Sequence, residues 1–273
     1  MGRLLILILL SVILVGIGGC VFIDAKNPRY IYEGNSIMIG GDNQPIELVN
    51  NPDATDPSYS DLMMFLNTDS TDKNEYLEAS YVCADFAEDL HNNAEASGIR
   101  AAWVSIDFEG DALGHASNAF ETTDMGLVYV DCTGSNQNQD EYLGNQGDGI
   151  KSGHTSNPER TSFDSIAYIE IGKLYGIIDI AKAQLPSYSF FEGYSLKWEE
   201  YQKLLNDYND DVLKYNQQIE GKVYYHGSFN LAKMKAWEER IQKKRQTLDE
   251  WNEELGYFWS EPLDIVQEVV IYW

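Results

Sequence analysis

The stretch Tyr81-Val-Cys-Ala-Asp-Phe-Ala87 places a lone cysteine, Cys83, at the start of a predicted amphipathic helix. Ser80 is a favourable N-cap residue, and Gly98 is a favourable stop signal. Apolar side chains recur between them at helical spacing: Phe86, Ala87, Leu90 and Ala94. A thiol in the first turn lies at the positive end of the helix dipole, which favours the reactive thiolate. The pattern indicates a nucleophilic cysteine, with a buried core cysteine as the alternative.

Downstream of this helix the hydrophobic period changes from helical spacing to alternation, which predicts strands. Three strands are predicted, at residues 99–108, 115–120 and 126–132. The last two flank a short polar loop and should form a hairpin. If Phe120 lies opposite Gly126, the antiparallel register places His115 opposite Asp131 on one face of the sheet. The sequence therefore predicts an imidazole beside a carboxylate.

The order Cys83, His115, Asp131, with steps of 32 and 16 residues, resembles the core of the transglutaminase-like superfamily. The motifs that carry the resemblance are Cys83-Ala-Asp-Phe-Ala87 with Ala96-Ser-Gly-Ile-Arg-Ala101, Gly114-His-Ala-Ser-Asn118, and Val128-Tyr-Val-Asp-Cys-Thr133. The resemblance covers roughly Tyr59 to Gly134, about a quarter of the chain. The chain departs from the family at Cys132, where proline is frequent, and at Val82, where many members have a glycine-rich approach.

The resemblance implies an α+β fold with a papain-like, transglutaminase-type core, in which the nucleophile helix packs on an antiparallel sheet. It also implies a thiol-dependent acyl-transfer enzyme with a thioester intermediate. Cys83 would be the nucleophile, His115 its proton acceptor and Asp131 the residue that orients the imidazole. Water as the acyl acceptor gives a cysteine peptidase or amidase, and an amine gives a transglutaminase. The alternative is a non-catalytic surface scaffold.

The remaining cysteine and histidines are interpreted as structural or surface residues. Cys132 follows Asp131 on the same strand, so it should face the opposite side of the sheet and pack in the core. That orientation disfavours a disulfide with Cys83. His91 lies eight residues after Cys83 on the helix and is predicted to lie at the surface. Since no Cys or His pair has ligand spacing, the sequence predicts neither a metal site nor a cofactor.

The N-terminal segment predicts export and a membrane anchor. Residues 4–19 form an uncharged apolar run behind Arg3, which is typical of a signal peptide. The run ends at Ile17-Gly-Gly-Cys20, which resembles the lipobox of bacterial-type lipoproteins and implies lipidation of Cys20. An uncleaved transmembrane anchor is the alternative, because the apolar run continues to Ile23. Both interpretations predict an extracytoplasmic, membrane-anchored protein.

The composition limits the classes of partner. The 273 residues include 44% hydrophobic side chains, enough for a core, and carry a net charge of −25. Such an acidic surface repels phosphate backbones, which argues against nucleic-acid binding. It suits a solvated surface outside the cell. A peptide or protein is the expected substrate of the acyl-transfer site.

Two heptad patterns predict an antiparallel coiled-coil helical hairpin. The apolar positions of the first helix are Trp198, Tyr201, Leu205, Tyr208, Val212, Tyr215 and Ile219. Those of the second helix are Met234, Trp237, Ile241, Leu248, Trp251 and Leu255, with Lys244 in the same seam. The hairpin either packs only on itself or binds a partner protein through its aromatic tip, residues 223–227.

The domain prediction places this hairpin inside the core domain. The predicted segments are an anchor at 1–23, a linker and N-terminal embellishment at 24–57, a transglutaminase-like core at 58–194, the hairpin at 195–256, and a strand at 257–273 that returns to the core. Two further strands between residues 166 and 180 should extend the sheet. The polar stretch 134–159 is interpreted as either a substrate-binding loop or surface, and it lacks the spacing of an EF-hand.

Overall fold

The computed structural model describes residues 28–110, 114–133, 163–226, 228–256 and 262–273. The predicted leader with Cys20 and the polar stretch 134–159 lie outside these residues. Within the described ranges, no helix has the length and apolar character needed to cross a membrane.

The fold is α+β, with one six-stranded antiparallel sheet and four α-helices in the described part of the chain. The strands of this sheet are β5 Ala102–Phe108, β6 His115–Thr122, β7 Gly126–Asp131, β8 Ser165–Tyr168, β9 Gly176–Asp179 and β10 Val266–Tyr272. Two small two-stranded sheets contain β1 Arg29–Tyr30, β2 Tyr32–Glu33, β3 Ser36–Ile37 and β4 Glu47–Leu48. The helices are α1 Tyr59–Thr68, α2 Cys83–Ala96, α3 Tyr188–Ile219 and α4 Phe229–Leu255.

The large sheet has the strand order β10-β5-β6-β7-β8-β9, and every pair is antiparallel. The segments that lead into its two outer strands also pair with each other. The Gly172 N–H donates to the Val266 carbonyl, and the Tyr175 N–H donates to the Asp264 carbonyl, both at 2.8 Å. Because these bonds join the segments beside the two edges, the sheet curls on itself.

Helix α2 packs on the outer face of this sheet. Phe86 and Leu90 are fully buried and share one apolar cluster with Phe120 and Val130 of the strands. Burial of side chains of this size contributes about 1.5–3 kcal/mol each. The opposite, inner face has its own cluster, formed by alternate residues of the same strands such as Val104. The alternation fixes which strand residues face the helix.

The start of α2 differs from the predicted cap. The N-cap is Val82, not Ser80, and the Asp85 carboxylate accepts the backbone N–H of Val82 at 2.8 Å. Ser80 instead donates its N–H to Leu77 in the preceding turn, at 2.9 Å. An acidic residue in the first helical turn therefore caps the helix. Its negative charge also interacts favourably with the positive end of the helix dipole.

The N-terminal segment packs closely against this helix start. The N–H of Gly41 donates to the Asp85 carboxylate at 2.8 Å. A Cβ atom on Gly40 would lie 1.9 Å from Asp85 Oδ1, so only glycine permits this approach. Further along, Ile31 and Leu48 are buried in one cluster with Trp103. The segment thus forms one wall beside the first turn of α2.

Gly98 ends α2 as predicted. Its φ is +82°, in the left-handed region that glycine adopts at low cost. The N–H groups of Ile99 and Gly98 donate to the carbonyls of Ala94 and Glu95, at 2.9 and 3.0 Å. This is the Schellman arrangement, which satisfies carbonyls that the end of a helix leaves without partners.

The predicted register of the β6–β7 hairpin is wrong by two residues. Phe120 pairs with Val128, and Thr122 pairs with Gly126, because the connecting turn is shorter than predicted. An even shift leaves every side chain on the same face of the sheet. His115 and Asp131 therefore share the inner face as diagonal neighbours rather than as a directly opposed pair.

Helices α3 and α4 pack side by side in opposite directions. The seam side chains of α4 are buried at Met234, Ile241, Leu248 and Leu255. Lys244 lies in the same seam and pairs with Asp207 and, at 2.7 Å, with Asp211. The first turns of α3, with Tyr188 and Phe191, belong to the apolar cluster under α2. The predicted boundary between residues 194 and 195 thus falls inside α3.

Candidate active site

Cys83 is the first residue of α2 and is partly buried. It packs in the cluster that contains Met38 of the N-terminal segment and Ala116 of β6. The side chain of His115 and the backbone of Ala116 lie close enough to the thiol to lower its pKa. A backbone N–H and an imidazole therefore both act on the sulfur.

His115 is the first residue of β6 and contacts Asp131 at the end of β7. Its Nε2 lies 2.8 Å from Asp131 Oδ2, which leaves Nδ1 for the thiol of Cys83. The His115 and Asp131 side chains are 13% and 8% exposed. The structure thus brings the three predicted residues together, with the imidazole between the thiol and the carboxylate.

The Asp131 carboxylate accepts three hydrogen bonds. Besides the His115 ring, the Tyr175 hydroxyl donates to Oδ2 at 2.6 Å, and the Thr133 N–H donates to Oδ1 at 2.9 Å. Hydrogen bonds to a charged acceptor are stronger than neutral ones. The carboxylate is therefore held in one orientation towards His115.

Tyr175 is a residue of the site that the sequence does not reveal. It is buried, donates to Asp131, and its ring lies edge-on to the His115 ring with centroids 5.3 Å apart. In the sequence it is one tyrosine within an apolar strand pattern, which indicates only core packing. Its contact with Asp131 depends on the curling of the sheet. No local sequence pattern predicts that curling.

The electrostatics of the three side chains favour an ion pair. Burial alone would lower the pKa of His115, but the charge and hydrogen bond of Asp131 and the contact with Cys83 raise it to about 10. Burial alone would raise the pKa of Cys83, but the hydrogen bond and charge of His115 lower it below its ordinary value. Burial likewise opposes ionisation of Asp131, yet its partners hold the pKa of Asp131 well below its usual range. Both shifts favour the charged forms, so the site favours a thiolate beside an imidazolium.

This pair predicts a characteristic dependence of folding stability on pH. The raised pKa of His115 stabilises the fold below about 6.5, its unfolded value, and this contribution is lost as pH rises towards about 10. The lowered pKa of Cys83 stabilises the fold above about 8.5, its unfolded value, and is lost as pH falls. Below about pH 8.5 the contributions of the two groups to the unfolding free energy change in opposite directions with pH. From pH 8.5 to 10 the pair should lose about 2 kcal/mol of unfolding free energy.

This loss of unfolding free energy can be measured by urea unfolding, at several pH values, of the native chain and of a Cys83→Ala/His115→Ala variant. The variant serves as the control because all other titrating groups are shared, and only the difference between the two curves is compared. A difference that grows between pH 8.5 and 10 would contradict the ion pair.

Cys132 lies where the sequence predicts. It is 2% exposed on the helix-facing side of the sheet, and its thiol donates to the Phe86 carbonyl at 3.5 Å. Burial raises the pKa of this thiol well above its ordinary value. Both Cys83 and Cys132 are free thiols. Cys132 is therefore a core residue.

The predicted surface position of His91 is wrong, because its side chain is fully buried. The N-terminal segment covers this face of α2: the Val49 N–H donates to Asn92 at 2.8 Å, and the Asn51 N–H donates to Glu95 at 2.7 Å. His91 Nδ1 lies 3.1 Å from Asn92 Oδ1. Burial lowers the pKa of His91, which favours the neutral ring.

In the described residues, no cluster of three or more histidine, cysteine or acidic side chains is arranged to hold a metal ion. Comparison of the chain with protein-family models, with curated proteins and with solved structures gave no significant match.

Proposed function

We propose that the chain is an exported, membrane-anchored thiol acyl-transfer enzyme of the transglutaminase-like type, acting on a peptide or protein substrate. The observation that carries this proposal is the position of the His115 imidazole, which contacts the Asp131 carboxylate at 2.8 Å and interacts with the Cys83 thiol. A thiol, a proton carrier and an orienting carboxylate are the parts that covalent acyl transfer requires.

In the proposed first step, the Cys83 thiolate attacks the acyl carbon and a carbon–sulfur bond forms. Electrons move to the carbonyl oxygen, and the Cys83 backbone N–H is its candidate donor. N–H groups in the first turn of a helix lack intrahelical partners and are available for such a bond. The His115 imidazolium then gives its proton to the leaving amine, and the carbon–nitrogen bond breaks. The product is a thioester on Cys83.

In the second step, His115 is neutral and can accept a proton. Water or an amine attacks the thioester, His115 takes its proton, and the carbon–sulfur bond breaks. The thiolate and imidazolium are restored. Asp131 stays ionised throughout and stabilises the charged form of the ring.

The finer fold assignment is part of this proposal. A helix with the thiol at its first residue, packed on an antiparallel sheet whose strands supply His115 and Asp131, supports a papain-like, transglutaminase-type core. Buried side chains at Met234, Ile241 and Leu248 along the predicted seam support an antiparallel coiled coil for α3 and α4.

Alkylation by iodoacetamide between pH 5 and 9, with peptide mapping, tests the proposed nucleophile. Cys83 should be modified with a pH midpoint below the value of about 8.5 for a free thiol, because the adjacent imidazolium stabilises its thiolate. Cys132 is the internal control, since burial raises the pKa of its thiol and it should stay unmodified. An ordinary midpoint at Cys83, or modification at Cys132 instead, would refute the proposal.

Replacement of residues 202–250 by a short Gly/Ser linker should leave the core folded. The deletion keeps the first turns of α3 in the core, the Lys197–Glu254 ion pair and the contact of Tyr194 with Leu255. Packed helices lie about 8–10 Å apart, so a short linker can join the cut ends. Alkylation of Cys83 at pH 6 should change less than about twofold, because the site shares no residue with the deleted segment.

The same deletion variant distinguishes the enzyme interpretation from the scaffold interpretation. Cleavage or amine labelling of casein, a generic protein substrate, should be measurable in the intact chain and should be lost in the shortened one if the hairpin holds large substrates. The scaffold alternative expects no turnover from either chain. An unfolded core in the shortened chain, detected by circular dichroism, would show that the hairpin is part of the main core.

A further inference from the structure

The tip of the helical hairpin, residues 219–235, exposes apolar side chains to an unusual degree. Val223, Tyr225 and Phe229 are 79%, 77% and 82% exposed. They are the three most exposed large hydrophobic side chains in the described ranges of the chain, and the next, Ile171, is 69% exposed. Scattered exposed side chains are ordinary on a protein surface, but a cluster of them marks a contact site.

These side chains are not needed to hold the tip together. The Tyr224 hydroxyl donates to the Gln218 carbonyl at 3.0 Å and closes the loop. Ser228 caps α4 by accepting the Leu231 N–H at 3.2 Å. One turn further, the seam is filled by buried Met234. The conformation of the tip therefore has its own contacts, and the three exposed side chains contribute none of them.

The charge of the tip is opposite to that of the chain as a whole. It carries Lys222, Lys233 and Lys235 against one acidic residue, Glu220, whereas the chain has a net charge of −25. Lys222 and Lys233 also line the cavity of about 630 Å³ at this end of the hairpin. The tip is thus a basic site on an acidic protein, and an anionic surface is attracted there.

We propose that the hairpin tip binds the surface of an anionic lipid bilayer. Tyrosine and phenylalanine side chains insert at the boundary between headgroups and acyl chains, and adjacent lysines pair with anionic headgroups. A bilayer fits the site better than a protein partner, because a stable protein interface takes about 800 Å² from each side and 20–30 residues. Three exposed side chains at the end of a hairpin provide a smaller surface.

Hydrogen–deuterium exchange of the full chain on lipid vesicles tests the proposal. Two vesicle compositions are compared, phosphatidylcholine alone and a 7:3 mixture of phosphatidylcholine with anionic phosphatidylglycerol. Because an N-terminal apolar segment can hold the chain on either vesicle, the readout is restricted to amides of residues 219–235. Their exchange should be at least about threefold slower on anionic vesicles, and 0.5 M NaCl should remove most of the difference.

Two variants examine the two parts of the site separately. Val223→Ser/Tyr225→Ser/Phe229→Ser should abolish the slowing through loss of insertion, and Lys222→Gln/Lys233→Gln should abolish its dependence on anionic lipid. If the apolar substitutions disturb the folding of the hairpin, the charge variant still tests the proposal. Ile171→Ser, an exposed apolar site away from the tip, is the matched control and should behave as the native chain.

Equal exchange on both vesicles would overturn the proposal, and so would slowing that persists in both variants. The exchange experiment does not depend on the reactivity of Cys83. The lipid proposal and the acyl-transfer proposal can therefore fail separately.

Discussion

Replacing His115 by alanine is expected to lower the rate at which Cys83 is acylated by p-nitrophenyl acetate about 10²–10⁴-fold. The substitution removes both the cation that holds Cys83 as a thiolate and the group that moves the proton. The remaining thiol is a partly buried neutral group at pH 6, where a free thiol of pKa about 8.5 is only about 0.3% thiolate. The acetyl group on Cys83 is detected by mass spectrometry and its formation is timed by p-nitrophenol release.

His226→Ala is the matched control, because this histidine is exposed at the hairpin tip and should leave acylation unchanged. Imidazole added to His115→Ala should restore part of the rate by replacing the lost proton carrier. A His115→Ala chain that is acylated within threefold of the native rate would rule out His115 as the partner of Cys83.

The largest expected effect on stability follows from Phe86, one turn after Cys83 on α2. Its ring is fully buried and lies 4.5 Å, centroid to centroid, from the ring of Tyr81. Phe86→Ala should lower the free energy of unfolding by about 3–5 kcal/mol, because the transfer free energy is lost and a cavity is left between α2 and the sheet. Urea denaturation at neutral pH measures the change.

Met64→Ala is the corresponding surface control, since Met64 lies on α1 and is 59% exposed. It should change the free energy of unfolding by no more than about 0.5 kcal/mol. A loss below 1 kcal/mol for Phe86→Ala would mean that α2 is not fixed to the sheet through this side chain.

The elements with a regular spacing of apolar residues could be predicted from the sequence. The helix that carries Cys83 in its first turn and ends before Gly98, and the buried positions Met234, Ile241, Leu248 and Leu255 of α4, depend on contacts within a few residues or on one repeated spacing. For the site, alternation along β6 and β7 was enough to put His115 and Asp131 on one face. The exact register was not predictable, because it depends on the length of a turn, yet an even error preserves the face.

Features that depend on distant segments could not be predicted. Tyr175 reaches Asp131 only because the two edges of the sheet join. His91 is buried only because residues 49–51 cover α2. Asp85 caps the helix in place of Ser80 because a glycine pair from the N-terminal segment approaches it. Each is a contact between segments far apart in sequence, and a local pattern contains no information about its partner.

The pairing of β10 with β5 has a consequence for the folding pathway. Val266 pairs with Phe108, and the whole helical hairpin lies between these strands in the chain. The hairpin has short-range contacts and can form early, whereas β5 must wait for a strand made much later. Until β10 docks, one edge of β5 offers unpaired backbone groups to other chains. We expect the slowest folding step to be this docking, and the intermediate before it to be the species most prone to aggregate.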